Sequence, residues 1–131
     1  MQRHILVVDD NVDVRTILSR RLSQNGFRVS TAADGAAGLE AVRRHTPCCV
    51  LLDLMMPVMD GFAFLAALQA HPAPPPVFVV THSDDPGARR RAQQLGAGRV
   101  FTKSEAFERS FGTMLTELLH AAPPPAAAMA G

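Results

Sequence analysis

Five short apolar runs recur along the chain, each followed by a segment with apolar residues every three or four positions. The runs are HILVV (4–8), FRVST (27–31), CCVLL (48–52), VFVVT (77–81) and RVFT (99–102). The first, third and fourth are apolar at successive positions, so both faces must be covered. Strands of that kind belong inside a parallel sheet with helices on each side. The intervening segments have helical period. Val14, Ile17, Leu18 and Leu22 form one stripe, closed by Asn25-Gly26. Leu39 and Val42 carry a second helix over about 35–45, ended before Pro47. Phe62, Leu65 and Leu68 carry a third over 61–70, ended by Pro72 and the proline run 74–76. Pro86 opens a fourth helix at an allowed first-turn position. Phe107, Phe111, Leu115 and Leu118 carry a fifth over about 105–120. Right-handed crossovers between parallel strands then favour an open α/β sheet wound in both directions. This pattern occupies residues 1–121. Residues 122–131 are Pro/Ala-rich without a core pattern and are expected to be a tail or the start of a linker.

Composition narrows the function. The 131 residues suit one domain, and 47% are hydrophobic, enough for a substantial core. Net charge is +1, which gives no general attraction to nucleic acid or to a membrane surface. No apolar run approaches the roughly 20 residues needed to span a bilayer, and no secretory signal is evident. The adjacent Cys48 and Cys49 would point to opposite faces of a strand, which argues against a disulfide or a metal site. They read as small buried residues of a cytoplasmic protein.

The strand tips carry the chemistry. For five strands the commonest order is 2-1-3-4-5, the flavodoxin-like doubly wound (βα)5 arrangement. Ligands in such sheets bind beyond the carboxyl ends of the strands where the order reverses, here between strands 1 and 3. Strand 1 runs into Asp9-Asp10 and strand 3 into Asp53. Strand 4 ends in Thr81, and Lys103 follows strand 5. Three carboxylates thus meet a hydroxyl and an ammonium. At about 4 Å two like charges repel by roughly 1 kcal/mol in water and about 4 kcal/mol at an effective dielectric of 20. The cluster calls for a cation, and an all-oxygen, partly solvated site suits Mg²⁺. A carboxylate beside Mg²⁺, a hydroxyl and an ammonium is equipped to accept a phosphoryl group. Three carboxylates give about −3, and an acyl phosphate on one of them gives about −4. Mg²⁺ and Lys103 together return the site to about −1.

The motifs VVDDN, LLDLMMPVMDG, VVT and FTK, in that order and spacing, resemble those of receiver domains of two-component response regulators. The resemblance covers about residues 3–120. It implies that Asp53 is the phosphoacceptor, supplied by a sensor histidine kinase or a histidine phosphotransfer protein. It implies that Asp10 binds Mg²⁺ directly, Asp9 through water, and the Met55 backbone carbonyl as a third protein ligand. Thr81 corresponds to the switch hydroxyl and Lys103 to the ammonium that pairs with the phosphoryl oxygens. Pro57 and Gly61 match the loop that shapes the acid pocket. Helix 4, strand 5 and helix 5 correspond to the face that receivers present to a downstream effector or a second copy.

Three positions depart from that pattern. Val100 stands where receivers carry an aromatic or histidine that changes rotamer, with Phe101 beside it. Ser104 stands where proline often follows the lysine across a cis bond. A cis bond before serine would cost about 3–4 kcal/mol, so a trans bond and a shifted loop are expected. His82 is bulky where a small residue is usual and would narrow access to the acceptor. Asp60-Gly61 reads as a turn, and Asn11 as the cap of the first helix.

Other functions fit less well. A receiver-like scaffold that binds partners without phosphorylation is compatible with Val100, Ser104 and His82. A phosphatase of the haloacid dehalogenase type would need an acid two residues after Asp9, where the chain has Asn11. A flavin protein would need a phosphate loop rich in Gly, Ser and Thr, whereas VVDDN would repel phosphate. The expected function is therefore a switch and not a turnover enzyme.

Overall fold

Period-two alternation along the inner strands builds two cores at once. The computed structural model describes residues 3–82, 85–109 and 111–121, the side chains of 108, 109, 115, 119 and 121 excepted. Strands β1 (His4–Val8), β2 (Arg28–Ala32), β3 (Cys49–Leu52), β4 (Val77–Thr81) and β5 (Arg99–Thr102) form one parallel sheet in the order β2-β1-β3-β4-β5. This is the flavodoxin-like doubly wound fold. Helices α1 (Val12–Gln24), α2 (Gly35–Arg44), α3 (Gly61–Leu68), α4 (Pro86–Gln94) and α5 (Phe111–Ala121) connect and close it. Leu6, Val8, Val50, Leu52, Val77, Val79 and Val100 face α2, α3 and α4. Ile5, Val7, Cys49, Leu51, Phe78, Val80 and Phe101 face α1 and α5. Each large side chain buried this way contributes roughly 1.5–3 kcal/mol, which offsets the charges set at the sheet edge. No helix among the described residues is long and apolar enough to cross a membrane.

Helix starts follow local chemistry. Asn11 caps α1, its side chain accepting from the amides of Asp13 and Val14. Asp34, Asp60 and Asp85 cap α2, α3 and α4 in the same manner. Asp60-Gly61 is thus more than a turn. It begins the helix that follows the loop after Asp53.

The boundaries differ from the sequence pattern in three places. Strand β2 begins at Arg28, because the Phe27 amide donates a hydrogen bond back to the Leu22 carbonyl in the preceding turn, with its ring buried against α1 and α5. Strand β3 begins at Cys49, so Cys48 precedes the pleat and does not alternate with it. Both free thiols pack toward the α1/α5 layer, and burial pushes the Cys49 thiol up to about 12. The last helix is divided, with a π turn over Glu105–Arg109 before α5. Its buried line runs through Ala106, Met114 and Leu118, with Phe107 and Phe111 at the margin. The side chain of Leu115 and the tail 122–131 lie outside the described residues.

The ladder itself delivers the acidic groups. Val8 pairs with Leu52, and the Asp53 amide donates to the Val8 carbonyl at 2.9 Å. The Asp9 amide donates to the Ala32 carbonyl at 3.1 Å. Pairing therefore continues one residue past both strands. Gly61 holds the β3–α3 loop against this edge, its amide donating to the Leu54 carbonyl at 2.9 Å. A Cβ there would lie 2.5 Å from the Asp53 carbonyl oxygen and 2.6 Å from the Leu54 Cα. Both are backbone atoms that cannot swing aside. Gly61→Ala is expected to lower unfolding free energy by about 1–3 kcal/mol in urea melts. An unchanged midpoint would show that the loop is not held by this contact.

Candidate functional site

Asp9, Asp53, Thr81 and Lys103 are the buried polar or charged residues at the carboxyl edge of the sheet, each no more than 4% exposed. Asp10 is exposed at the rim. Carboxylate oxygens of Asp9, Asp10 and Asp53 all lie within 4.8 Å of one another. The three sequence-predicted acids are therefore brought to one point by two neighbouring strands, β1 and β3.

Their environments differ. Asp9 is satisfied on both oxygens: Oδ1 accepts from the Asn11 amide at 2.9 Å, and Oδ2 pairs with Lys103 Nζ at 2.9 Å. Its backbone carbonyl accepts from Arg15 Nη1 at 2.8 Å, a support that the motif reading did not include. Asp53 Oδ2 lies 3.7 Å from Lys103 Nζ, while Oδ1 is buried without a hydrogen-bond partner. Burial and then the Asp9 charge push the Asp53 carboxyl up from 3.8 to about 6. Lys103 and a backbone hydrogen bond from Met55 oppose this rise. An unsatisfied buried carboxylate oxygen among two more acids is the arrangement a hard cation would complete. The donors are all oxygen, as Mg²⁺ prefers.

The remaining predicted positions separate. Thr81 ends β4 beside Thr102 of β5, at the same sheet edge. Val100 is buried on the α4 side, and its carbonyl accepts from Arg89 Nη1 at 3.1 Å. Phe101 points the other way, into the α1/α5 layer, with its ring 5.9 Å from that of Phe78. Phe101 therefore does not stand in for an aromatic on the α4 face. His82 is exposed just beyond β4. The Met55 side chain is 73% exposed, which leaves its backbone as the part turned to the acids. Three residues further, Val58 has a φ of +68°, unfavourable for a β-branched residue, and the Met59 amide closes a tight turn onto the Pro57 carbonyl at 2.7 Å. Arg91 of α4 stacks its guanidinium 4.2 Å from the centre of the Phe62 ring of α3.

Lys103 enters the site from the first turn of a helix. No cis peptide bond occurs among the described residues, so Lys103–Ser104 is trans, as expected for a non-proline bond. Both residues are already helical. Residues 102–105, T-K-S-E, form a capping-box pattern, a sequence signal for this helix start ahead of the apolar stripe.

The family model for the response regulator receiver domain matches residues 5–113. This chain belongs to the receiver family. Among related receivers, "Response regulator MprA" of Mycobacterium sp. (strain KMS) is 35% identical over 123 residues, covering 94% of this chain and 54% of MprA. A Rhizobium etli protein named "Probable chemotaxis protein CheY" is 35% identical over 108 residues, covering 80% of this receiver and 84% of that protein. The chain thus spans about half the length of MprA but most of the CheY protein. The solved chemotaxis response regulator CheY4 of Vibrio cholerae superposes with a TM-score of 0.81 at 27% identity, covering 91% of this receiver and all of CheY4.

The raised Asp53 carboxyl has a consequence for stability. The folded receiver holds this proton more tightly than the unfolded chain does. Its contribution to stability is full below about pH 4 and is lost as pH rises through about 6. Asp53→Asn removes that titration. In melts without divalent ions, the stability gap between variant and wild type is expected to open between pH 4 and 6, reaching roughly 2–3 kcal/mol, and to stay level above. Parallel pH profiles for the two proteins would contradict the assignment.

Proposed function

We propose that this receiver is a phosphorylation-controlled switch in which Asp53 accepts a phosphoryl group from a partner's phosphohistidine. Receiver domains work with histidine kinases and effectors, and the geometry here supports the same role. The observation that carries the reading is the Asp53 carboxylate: buried, unsatisfied at Oδ1, and 3.7 Å from a buried ammonium at Oδ2.

In the reaction, a carboxylate oxygen of Asp53 attacks phosphorus. A P–O bond forms and the P–N bond to the donor imidazole breaks, its electron pair staying on the ring nitrogen. Asp9, Asp10, Asp53 and the Met55 carbonyl would hold Mg²⁺. When bound, the ion supplies positive charge to the acids and to the phosphoryl oxygens. Lys103 offers the second positive charge, and Thr81 a hydroxyl donor at the neighbouring strand tip. Asp9 keeps Lys103 at the site before the phosphoryl group arrives. Afterwards the ammonium has a more highly charged partner within reach. The chain would act on itself only, taking on and slowly losing one group, in the cytoplasm where histidine kinases present their donors. The state of Asp53 would bias the α4–β5–α5 face toward an effector or a second copy.

Intact-mass analysis after incubation with acetyl phosphate and Mg²⁺ tests the chemistry. Wild type is expected to gain one phosphoryl mass and Asp53→Ala none. Chelating the Mg²⁺ should abolish labelling. Equal labelling of both proteins would overturn the acceptor. No labelling of either, with no response to beryllofluoride, would favour a scaffold that works without phosphorylation.

A further inference from the structure

Lys103 is a buried cation whose position depends on the backbone that carries it. Four hydrogen bonds and one buried side chain fix that backbone. The Thr102 amide donates to Glu105 Oε1 at 3.1 Å, and the Thr102 hydroxyl donates to the same oxygen at 2.9 Å. The Glu105 amide donates back to Thr102 Oγ1 at 3.2 Å. The next residue, Ala106, is fully buried in the α1/α5 core. One residue further, the Phe107 carbonyl accepts from Arg21 Nη1 of α1 at 2.7 Å. Lys103 is thus the first helical residue inside a closed capping box, with the following π turn fastened to α1.

We propose that Glu105 is a positioning residue for the acceptor site, acting through Thr102 to hold the Lys103 ammonium between Asp9 and Asp53. The proposal rests on the phosphoacceptor reading of Asp53. A capping box satisfies amides that the helix cannot satisfy itself. Without the Glu105 acceptor, the Thr102 amide loses its partner and the first turn is free to fray. Lys103 has four side-chain torsions and would follow that motion. Lys103 Nζ lies 3.7 Å from Asp53 Oδ2, so movement of this turn moves the ammonium relative to the acceptor. Glutamine keeps a carbonyl oxygen at the same reach, so the role requires an acceptor and does not require the charge.

Beryllofluoride affinity in saturating Mg²⁺, measured well below the melting temperature, tests this on the full chain. Glu105→Ala is expected to weaken binding about fivefold to tenfold, the equivalent of one lost cap. Glu105→Gln should stay within about twofold of wild type. Lys103→Ala should lose more than Glu105→Ala. Val29→Ala, on the edge strand β2, is a control for lost stability alone and should leave affinity unchanged. If Lys103→Ala is impaired while Glu105→Ala binds like wild type, the positioning role is wrong and the acceptor reading stands. If Glu105→Ala and Glu105→Gln are equally impaired, charge and not the hydrogen-bonded box is responsible, and the proposal fails. If Lys103→Ala or Val29→Ala departs from expectation, by no loss in the first or an equal loss in the second, the proposal falls. An unimpaired Lys103→Ala would take the acceptor reading with it.

Discussion

The Lys103–Asp9 ion pair, 2.9 Å long and almost wholly buried, is the contact on which the rest of the site depends. Two charges removed from water are costly, and a close partner only partly compensates. Here compensation is incomplete by design of the charge count. One ammonium faces three acids, and the closest one takes it. Asp53 is left with burial and repulsion, and its carboxyl rises to about 6. A site organised for stability alone would have matched the charges or omitted them. The surplus negative charge makes sense as a demand for a cation that the chain itself does not supply.

That demand can be sustained because the two cores bracket the edge. The inner strands are packed on both faces, and their ladder continues through the amides of Asp9 and Asp53. The acids therefore cannot relax apart by bending the backbone. Gly61 closes the loop behind Asp53 at a distance that no other residue permits. The strain at Val58, in the same loop, is small beside the packing that over-determines it. Rigidity at the strand tips keeps burial, and after it the Asp9 charge, acting on the Asp53 carboxyl.

Much of this was legible in the residues. Three continuous apolar runs require cover on both faces, and five strand-like runs alternating with helical stripes leave few topologies. Once the reversal lies between strands 1 and 3, Asp9, Asp10 and Asp53 must converge, and Thr81 and Lys103 must join them. What was not legible depends on single-residue registers. The π turn adds a residue to the helix before α5, so the stripe read through Phe107, Phe111, Leu115 and Leu118 misses the buried Ala106 and Met114. Cys48 lies one residue ahead of β3, and the adjacent cysteines carry no signal of where the pleat begins. Asp9 looked like one more acid in a cluster. Only coordinates show that both its oxygens are already engaged, by Asn11 and by Lys103.

Val100 limits how a change at Asp53 can reach the α4–β5–α5 face. Its side chain has one torsion, no polar tip and 4% exposure, packed among the residues facing α4. Such a group cannot travel between core and solvent as a ring does. Phe101 has the ring but lies on the other side of the sheet. Two polar groups among the described residues, on Thr81 and Arg89, lie between the strand tips and that face. Thr81 sits at the end of β4, and Arg89 of α4 bonds to the Val100 carbonyl. On the opposite side the Lys103 turn is fastened to α1 by Arg21, whose guanidinium also lies 5.2 Å from the centre of the Phe111 ring of α5. Displacement of the ammonium would be felt first along that second connection, because the capping box joins it directly to the helix. In the proposed switch, valine at this position would leave transmission to backbone and cation, not to rotation of an aromatic ring.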